Sequence, residues 1–270
     1  MTSKIEWTDV TWNPVRGCSL VSTGCANCYA MKQAHRFSGP DQPYAGLTEL
    51  GPHGPRWTGK IALDHDALEK PLHWKKPRRI FVNSMSDLFH EHVPTEFIDR
   101  VFAVMALCPQ HTFLILTKRP GRMKAYCEFS HSGAPRVIAI RAATVEFLPF
   151  CQDKISPFRF PLPNVWMGVS VEDQATADER IPILLDTPAA VRWISAEPLL
   201  GEIDLNKKEL LCRTWRRGAT IGIYLDWVIV GGESGAGARP CDLAWIRSLK
   251  EQCLKTLTAV FVKQLGAKPS

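Results

Sequence analysis

The sequence predicts an α/β fold: a parallel sheet with helices outside it, arranged as a partial (β/α) barrel. Three observations lead there. Short, nearly continuous apolar runs recur between residues 80 and 262, segments of helical spacing separate them, and each run ends in polar or charged residues. A strand that is apolar on both faces must be covered on both, and crossover helices supply that cover. A doubly wound open sheet satisfies the same pattern and would bind its ligand at the same strand ends.

In chain order, residues 5–12 read as a first strand. The loop 13–31 follows, within TWNPVRGCSLVSTGCANCYAM, and a helix is predicted over 29–36. Residues 38–74 are rich in Gly and Pro and read as an irregular excursion that could cover a site. The strand 80–82 ends in Asn83-Ser84-Met85-Ser86-Asp87, and after Pro94 the positions Phe97, Ile98, Val101, Phe102 and Met105 share one helix face. The strand 113–116 ends in Thr117-Lys118-Arg119 and leads into a short helix reaching Phe129.

The rhythm breaks over 128–163, an insertion with a helix at 136–150 and an extended, Pro-rich stretch at 156–163. It resumes with 165–169, which ends in Ser170-Val171-Glu172-Asp173 before a helix carrying Ile181 and Leu185. Residues 191–194 end in Ser195-Ala196-Glu197-Pro198, and 201–224 form a further irregular insertion with excess Arg and Lys. Residues 227–230 end in Gly231-Gly232-Glu233-Ser234-Gly235. Asp242 then caps a helix with Leu243, Ile246, Leu249 and Cys253 inward, and 259–262 end in Lys263-Gln264. The 270 residues, 45% hydrophobic, can bury one barrel-sized core, so the whole chain is read as a single domain.

The nine cysteines lack the regular spacing of a secreted disulfide framework, which points to a reducing, cytoplasmic setting. The start MTSKIEWTDV has neither the basic end nor the apolar run of a signal peptide, and no apolar run approaches the ~20 residues of a membrane span. The formal charge of +6 permits a nucleic-acid partner. Two basic clusters, 75–79 and 213–217, would serve it, the second with Trp215 available to stack on a base; the plainer reading of both is a solvated connection.

Reactive groups of a (β/α) barrel sit where strands end. Asp87, Lys118, Glu172, Glu197, Glu233 and Lys263 all hold that position, which predicts a polar pocket at one end of the sheet. The loop before them supplies soft donors. Cys18, Cys25 and Cys28 lie within eleven residues, with six residues between the first two and two between the second and third. Three thiolates without a neighbouring fourth suit an iron–sulfur cluster with one open iron. Zinc normally takes four protein ligands, and it stays open as an alternative, as do ordinary thiols or a disulfide. His90 and His92 could reach a metal or act as acid and base, or simply cap the next helix. Cys108, Cys127, Cys151, Cys212, Cys241 and Cys253 lack metal-site spacing and read as packing thiols, with Cys241 nearest the expected pocket.

The stretches WTDVTWNPVRGCSLVSTGCANCYA, RRIFVNSMSDLFHE, LTKRP, VWMGVSVED, ISAEPLLG, VIVGGESGAGARP and FVKQLG run from residue 7 to 266. Together they resemble a phage- and prophage-associated family of three-cysteine-motif proteins within the radical S-adenosylmethionine superfamily, distantly similar to spore photoproduct lyase. The resemblance implies a 4Fe-4S cluster on Cys18, Cys25 and Cys28 that binds S-adenosylmethionine, and an enzyme of lyase, transferase or oxidoreductase type fed by an external electron donor. It also implies a partner protein encoded nearby. The superfamily commonly has three residues between its first two cysteines and an aromatic before the third; here there are six, and Asn27 precedes Cys28 while Tyr29 follows it.

On that resemblance Ser84, Ser86 or Asp87 would meet the methionyl ammonium, Lys118 or Arg119 its carboxylate, and Glu172 or Glu197 the ribose. Glu233 and Arg239 would face substrate, a nucleotide, DNA or RNA, unless Arg239 pairs with an acid at the rim. Two other readings stay open: a cluster- or zinc-binding module that works through its partner, and a redox-sensing nucleic-acid repair protein.

Overall fold

The computed structural model describes residues 5–52, 54–128, 135–151, 158–207, 210–214 and 222–270. The chain divides into two compact units. The first comprises Met1–Val21, Cys28–Trp166 and Pro188–Ala190; the second comprises Ser22–Asn27, Met167–Thr187 and Val191–Ser270.

In the first unit β1 (Val10–Trp12) and β2 (Val15–Arg16) lead to α1 (Tyr29–His35). Residues 38–74, expected to be irregular, contain an antiparallel hairpin of β3 (Thr48–Gly51) and β4 (Gly54–Trp57), then β5 (Ala62–Leu63) and the short α2 (His65–Leu68). Gly and Pro hid the hairpin because its strands carry almost no apolar alternation; Leu50 is exposed and Pro55 occupies a strand position. Next come β6 (Arg79–Val82), α3 (Thr95–Leu107), β7 (Thr112–Thr117), α4 (Pro120–Glu128), α5 (Arg136–Thr144) and α6 (Leu148–Cys151). Strand β8 (Val165–Ser170) contributes its first two residues here and the rest to the second unit. There follow α7 (Gln174–Asp186), β9 (Val191–Ala196), the antiparallel pair β10 (Cys212–Thr214) and β11 (Gly222–Tyr224), β12 (Trp227–Gly231), α8 (Leu243–Lys255) and β13 (Ala259–Gln264).

The main sheet has the strand order β1-β6-β7-β8-β9-β12-β13. Pairings β1/β6, β6/β7, β9/β12 and β12/β13 are parallel, with Val10 opposite Ile80 and Trp227 opposite Trp193. This is the α/β fold with a parallel sheet that the apolar runs predict. The reason is visible strand by strand: Ile80, Val82, Phe113, Leu114, Ile115, Ile194, Val228 and Val230 are buried whichever way they point. On α3 the stripe Phe97, Ile98, Val101, Phe102 and Met105 is buried as its spacing requires. Helix α7 begins with a capping box in which the Asp173 side chain accepts from Thr176 N–H, 2.9 Å, and Asp173 N–H donates to the Thr176 hydroxyl, 3.1 Å. Among the described residues no helix is long and apolar enough to cross a membrane.

The 128–163 insertion is anchored rather than loose where it is described. Arg136 on α5 reaches Asp99 of α3 at 3.2 Å, donates to the Tyr126 carbonyl at 2.7 Å and stacks 4.2 Å from the Tyr126 ring, whose hydroxyl donates to Asp99 at 2.9 Å. All three side chains are buried. Removing one partner of such a pair strands a charge away from water. Arg136→Met should therefore cost about 3–5 kcal/mol of stability in urea unfolding, far more than loss of a surface ion pair.

Candidate functional site

In the first unit, candidate residues gather where β6 and β7 end. Asn83, at φ 57°, turns the chain after β6 so that Ser84, Ser86 and Asp87 follow in a tight sequence. The Ser84 hydroxyl donates to Asn13 Oδ1 at 3.2 Å and that of Ser86 to the Val15 carbonyl at 2.7 Å. Asp87 is buried and heavily engaged. It accepts from the Thr117 hydroxyl at 2.8 Å, from the Phe89 and Lys118 backbone N–H groups at 2.9 and 3.2 Å, and from Arg119 Nη1 at 3.0 Å.

Arg119 extends this network to the cysteine loop. Its Nη2 donates to the Ser19 hydroxyl at 2.6 Å and its Nε to Glu91 at 2.8 Å. His90 Nδ1 accepts from the His92 backbone N–H at 3.2 Å, so its proton sits on Nε2, 3.0 Å from the same Ser19 oxygen. Burial, then the Arg119 charge, pushes the His90 pKa down, so the ring is a neutral donor. Ser19 in turn donates to Glu91 Oε1 at 3.2 Å. Although burial opposes it, hydrogen bonds from its own backbone and from Arg119 lower the Glu91 pKa to about 2.

Cys18 precedes Ser19 and follows Gly17, whose φ of +84° and 2.3 Å clearance to the Lys60 carbonyl at the place of a Cβ admit only glycine. Cys18 and Cys28 pack against one small cluster of Ala30, Met31, Ala34 and Trp57. Burial, reinforced by Asp87 and by Cys28 and opposed by Arg119, pushes the Cys18 thiol up to about 12.

The second unit holds its own group of candidate residues. The 3-10 turn Thr23–Cys25 presents Cys25, which is 9% exposed. Gly24 lies against the Glu172 side chain, where a Cβ would come within 2.5 Å. Ser22 donates to Glu172 Oε1 at 2.9 Å, and Arg180 of α7 pairs with the same carboxylate at 3.2 Å, both members being fully buried. Asn27 Nδ2 donates to Glu233 Oε2 at 2.9 Å and to the Gly237 carbonyl at 3.2 Å. Arg239 grips Glu233 through Nη2 at 2.6 Å and Nε at 3.0 Å, and its Nη1 donates to the Thr23 carbonyl at 3.0 Å. Burial opposes it, but the bonds from Arg239 and Asn27 lower the Glu233 pKa to about 2. Glu197 pairs with Lys263 at 3.0 Å and accepts from Ser195 at 3.2 Å.

Every acid expected at a strand end is thus there, and each already has an internal cation or donor. Arg239, expected to face substrate or to pair with an acid, does the latter. Sequence reasoning missed Ser19, Ser22, Gly24, Asn27 and Arg180. Only Arg180 left a readable sign: it stands on the face of α7 that carries the buried Ala177, Ile181 and Leu184, where an arginine needs an acid. Of the remaining cysteines, Cys108, Cys127, Cys241 and Cys253 are buried, and burial pushes Cys127 up to about 12. The side chains of Cys151 and Cys212 lie outside the described set, as do residues 215–217 of the second basic cluster. In the first cluster Lys75 and Lys76 are exposed, Arg78 lies over Trp74 at 5.3 Å and Arg79 pairs with Asp9 at 3.4 Å. It sits at the start of β6, the opposite end from Asp87.

A family model described as "Protein of unknown function (DUF5131)" matches residues 2–270. The chain belongs to this family. No curated protein and no solved structure matches it. Membership in the DUF5131 family fixes kinship along almost the whole chain and leaves activity to be argued from the residues.

By chemistry the three cysteines are soft donors that suit a thiophilic metal group: Cys18 and Cys28 share an apolar cluster in the first unit, with the Asp87 and Arg119 charges acting on Cys18, and Cys25 is buried in the second. Among the described residues no group of three or more His, Cys, Asp or Glu side chains is already arranged to hold a metal ion.

The Glu233 shift has a defined consequence. Its folded pKa lies near 2 against an ordinary 4.5, so its contribution to stability is complete above the ordinary value and is lost as pH falls toward 2. Thermal unfolding followed across that window should show the midpoint falling, and Glu233→Gln should flatten the fall while lowering the midpoint at neutral pH.

Proposed function

We propose that this protein is an iron–sulfur protein of the radical S-adenosylmethionine type, with Cys18, Cys25 and Cys28 as the ligands of a 4Fe-4S cluster. The observation that carries the reading is the three-thiol loop itself, with Cys18 and Cys28 half-buried against one apolar cluster and the Arg119 charge acting on Cys18. Cys18, Cys25 and Cys28 would hold the cluster, which would supply one electron for reductive cleavage of a sulfur–carbon bond of S-adenosylmethionine.

The chain's own residues would bind and orient the cofactor. Ser84 and Ser86 each donate their one hydroxyl proton internally, which leaves lone pairs to accept from an ammonium group. They suit the methionyl ammonium better than Asp87, whose oxygens are already taken by four donors. Lys118 and Arg119, the two cations that follow β7, are proposed for the carboxylate on charge complementarity. Glu197 is the strand-end acid proposed for the ribose hydroxyls, because Glu172 is fully buried against Arg180. The proposed substrate is a nucleotide or nucleic acid, which the charge of +6 favours.

Anaerobic reconstitution tests the reading. The wild type should take up about four iron and four sulfide per chain, and Cys18→Ala, Cys25→Ala and Cys28→Ala should each lose most of it. Reduced, loaded protein should release 5′-deoxyadenosine from S-adenosylmethionine. Zinc in place of iron, or a cluster indifferent to all three substitutions, would overturn the proposal.

A further inference from the structure

The strand-end acids Glu172 and Glu233 are expected, from the sequence, to touch cofactor or substrate. Their surroundings show a different use. The six-residue segment Ser22–Asn27 is fastened to the second unit at both of its ends and in its middle. At the front, Ser22 is bonded to Glu172, 2.9 Å; at the back, Asn27 is bonded to Glu233, 2.9 Å, and to the Gly237 carbonyl, 3.2 Å. Between them Arg239 holds the Thr23 carbonyl at 3.0 Å, and Gly24 lies so close to the Glu172 side chain that a methyl group there would be 2.5 Å from it.

Neither carboxylate is a spare acid. Glu172 is neutralised by Arg180 and Glu233 by a two-pronged Arg239, so their remaining acceptor capacity is directed at the loop. The residue at the centre of the fastened segment is Cys25.

We propose that Glu172 and Glu233 are positioning residues for Cys25: acting through Ser22, Gly24 and Asn27, they fix the turn from which this thiol serves as a metal ligand. This rests on the three-cysteine reading above and deepens it. Outer-shell groups that orient a ligand typically contribute about 10- to 100-fold in metal affinity. The backbone turn is the object being held, so loosening it should act on Cys25 and leave Cys18, which hangs from Ser19 and Arg119, unaffected.

Two measurements on the full-length protein separate the clamp from the metal reading. The first uses metal-free protein and iodoacetamide, following carboxymethylation of Cys25 and Cys18 by peptide mass spectrometry. Asn27→Ala and Gly24→Ala should alkylate at Cys25 about 10-fold or more faster than wild type, with Cys18 unchanged and the thermal midpoint within a few degrees. The second is an anaerobic titration with Co(II), read by its thiolate charge-transfer band. The same variants should bind about 10- to 100-fold more weakly, as Glu233→Gln should, and Gly24→Ala combined with Glu172→Asp, one methylene shorter, should recover part of the loss.

Unchanged alkylation of Cys25 in both variants would overturn the clamp whatever the metal does. Faster alkylation with wild-type Co(II) affinity would overturn its positioning role. If wild type and Cys25→Ala bind Co(II) equally weakly while alkylation still responds, the three-cysteine reading fails first, and the clamp is reduced to a structural anchor.

Discussion

The recurring constraint in this molecule is a buried carboxylate made tolerable by an arginine. Taking an ionised acid out of water costs several kcal/mol unless a cation and further donors replace the lost hydration. The chain meets that cost at Asp87 with Arg119, at Glu172 with Arg180, at Glu233 with Arg239 and, away from the strand ends, at Asp99 with Arg136. Each pair leaves acceptor positions over, and those positions organise neighbouring backbone. Asp87 gathers the turn after β6 and the end of β7, Glu172 and Glu233 gather the turn around Cys25, and Asp99 gathers α4 and α5.

Seen this way, the polar strand ends are a supporting frame more than an array of exposed reagents. A carboxylate held by arginine and by several N–H or O–H donors is rigid, and it lends that rigidity to the loop segments bonded to it. The two glycines that matter reinforce the point. Gly17 fits under the Lys60 carbonyl in a left-handed conformation that excludes a side chain, and Gly24 fits closely against the Glu172 side chain, so in each case a cysteine is placed one residue from a close approach.

The thiols themselves sit in contrasting settings. Cys18 is desolvated and lies near both the Asp87 carboxylate and the Arg119 guanidinium, and its proton is held tightly in the absence of further positive charge. A bound metal would supply that charge and displace the proton, the usual linkage of thiolate ligation to proton release. His90, its pKa lowered by burial and its ring held by the backbone contact to His92, contributes a hydrogen bond to Ser19.

The sequence by itself determined the alternation of strands and helices, because an apolar run that must be buried on both faces is recognisable without knowing its neighbours. It placed Asp87, Glu172, Glu197 and Glu233 at strand ends for the same reason, and it marked the cysteine loop by spacing. It did not reveal the β3–β4 hairpin, whose strands bury little and are set by Gly and Pro turn geometry. Nor could it assign partners. Arg239 is six residues from Glu233, yet Asn27 is 206 residues away in sequence, and both meet the same carboxylate. Which acid faces a ligand and which is consumed by an internal arginine depends on distances of about 3 Å between groups remote in the chain. Only the folded arrangement sets those distances, because local propensity carries no information about which side chains a crossover connection brings together.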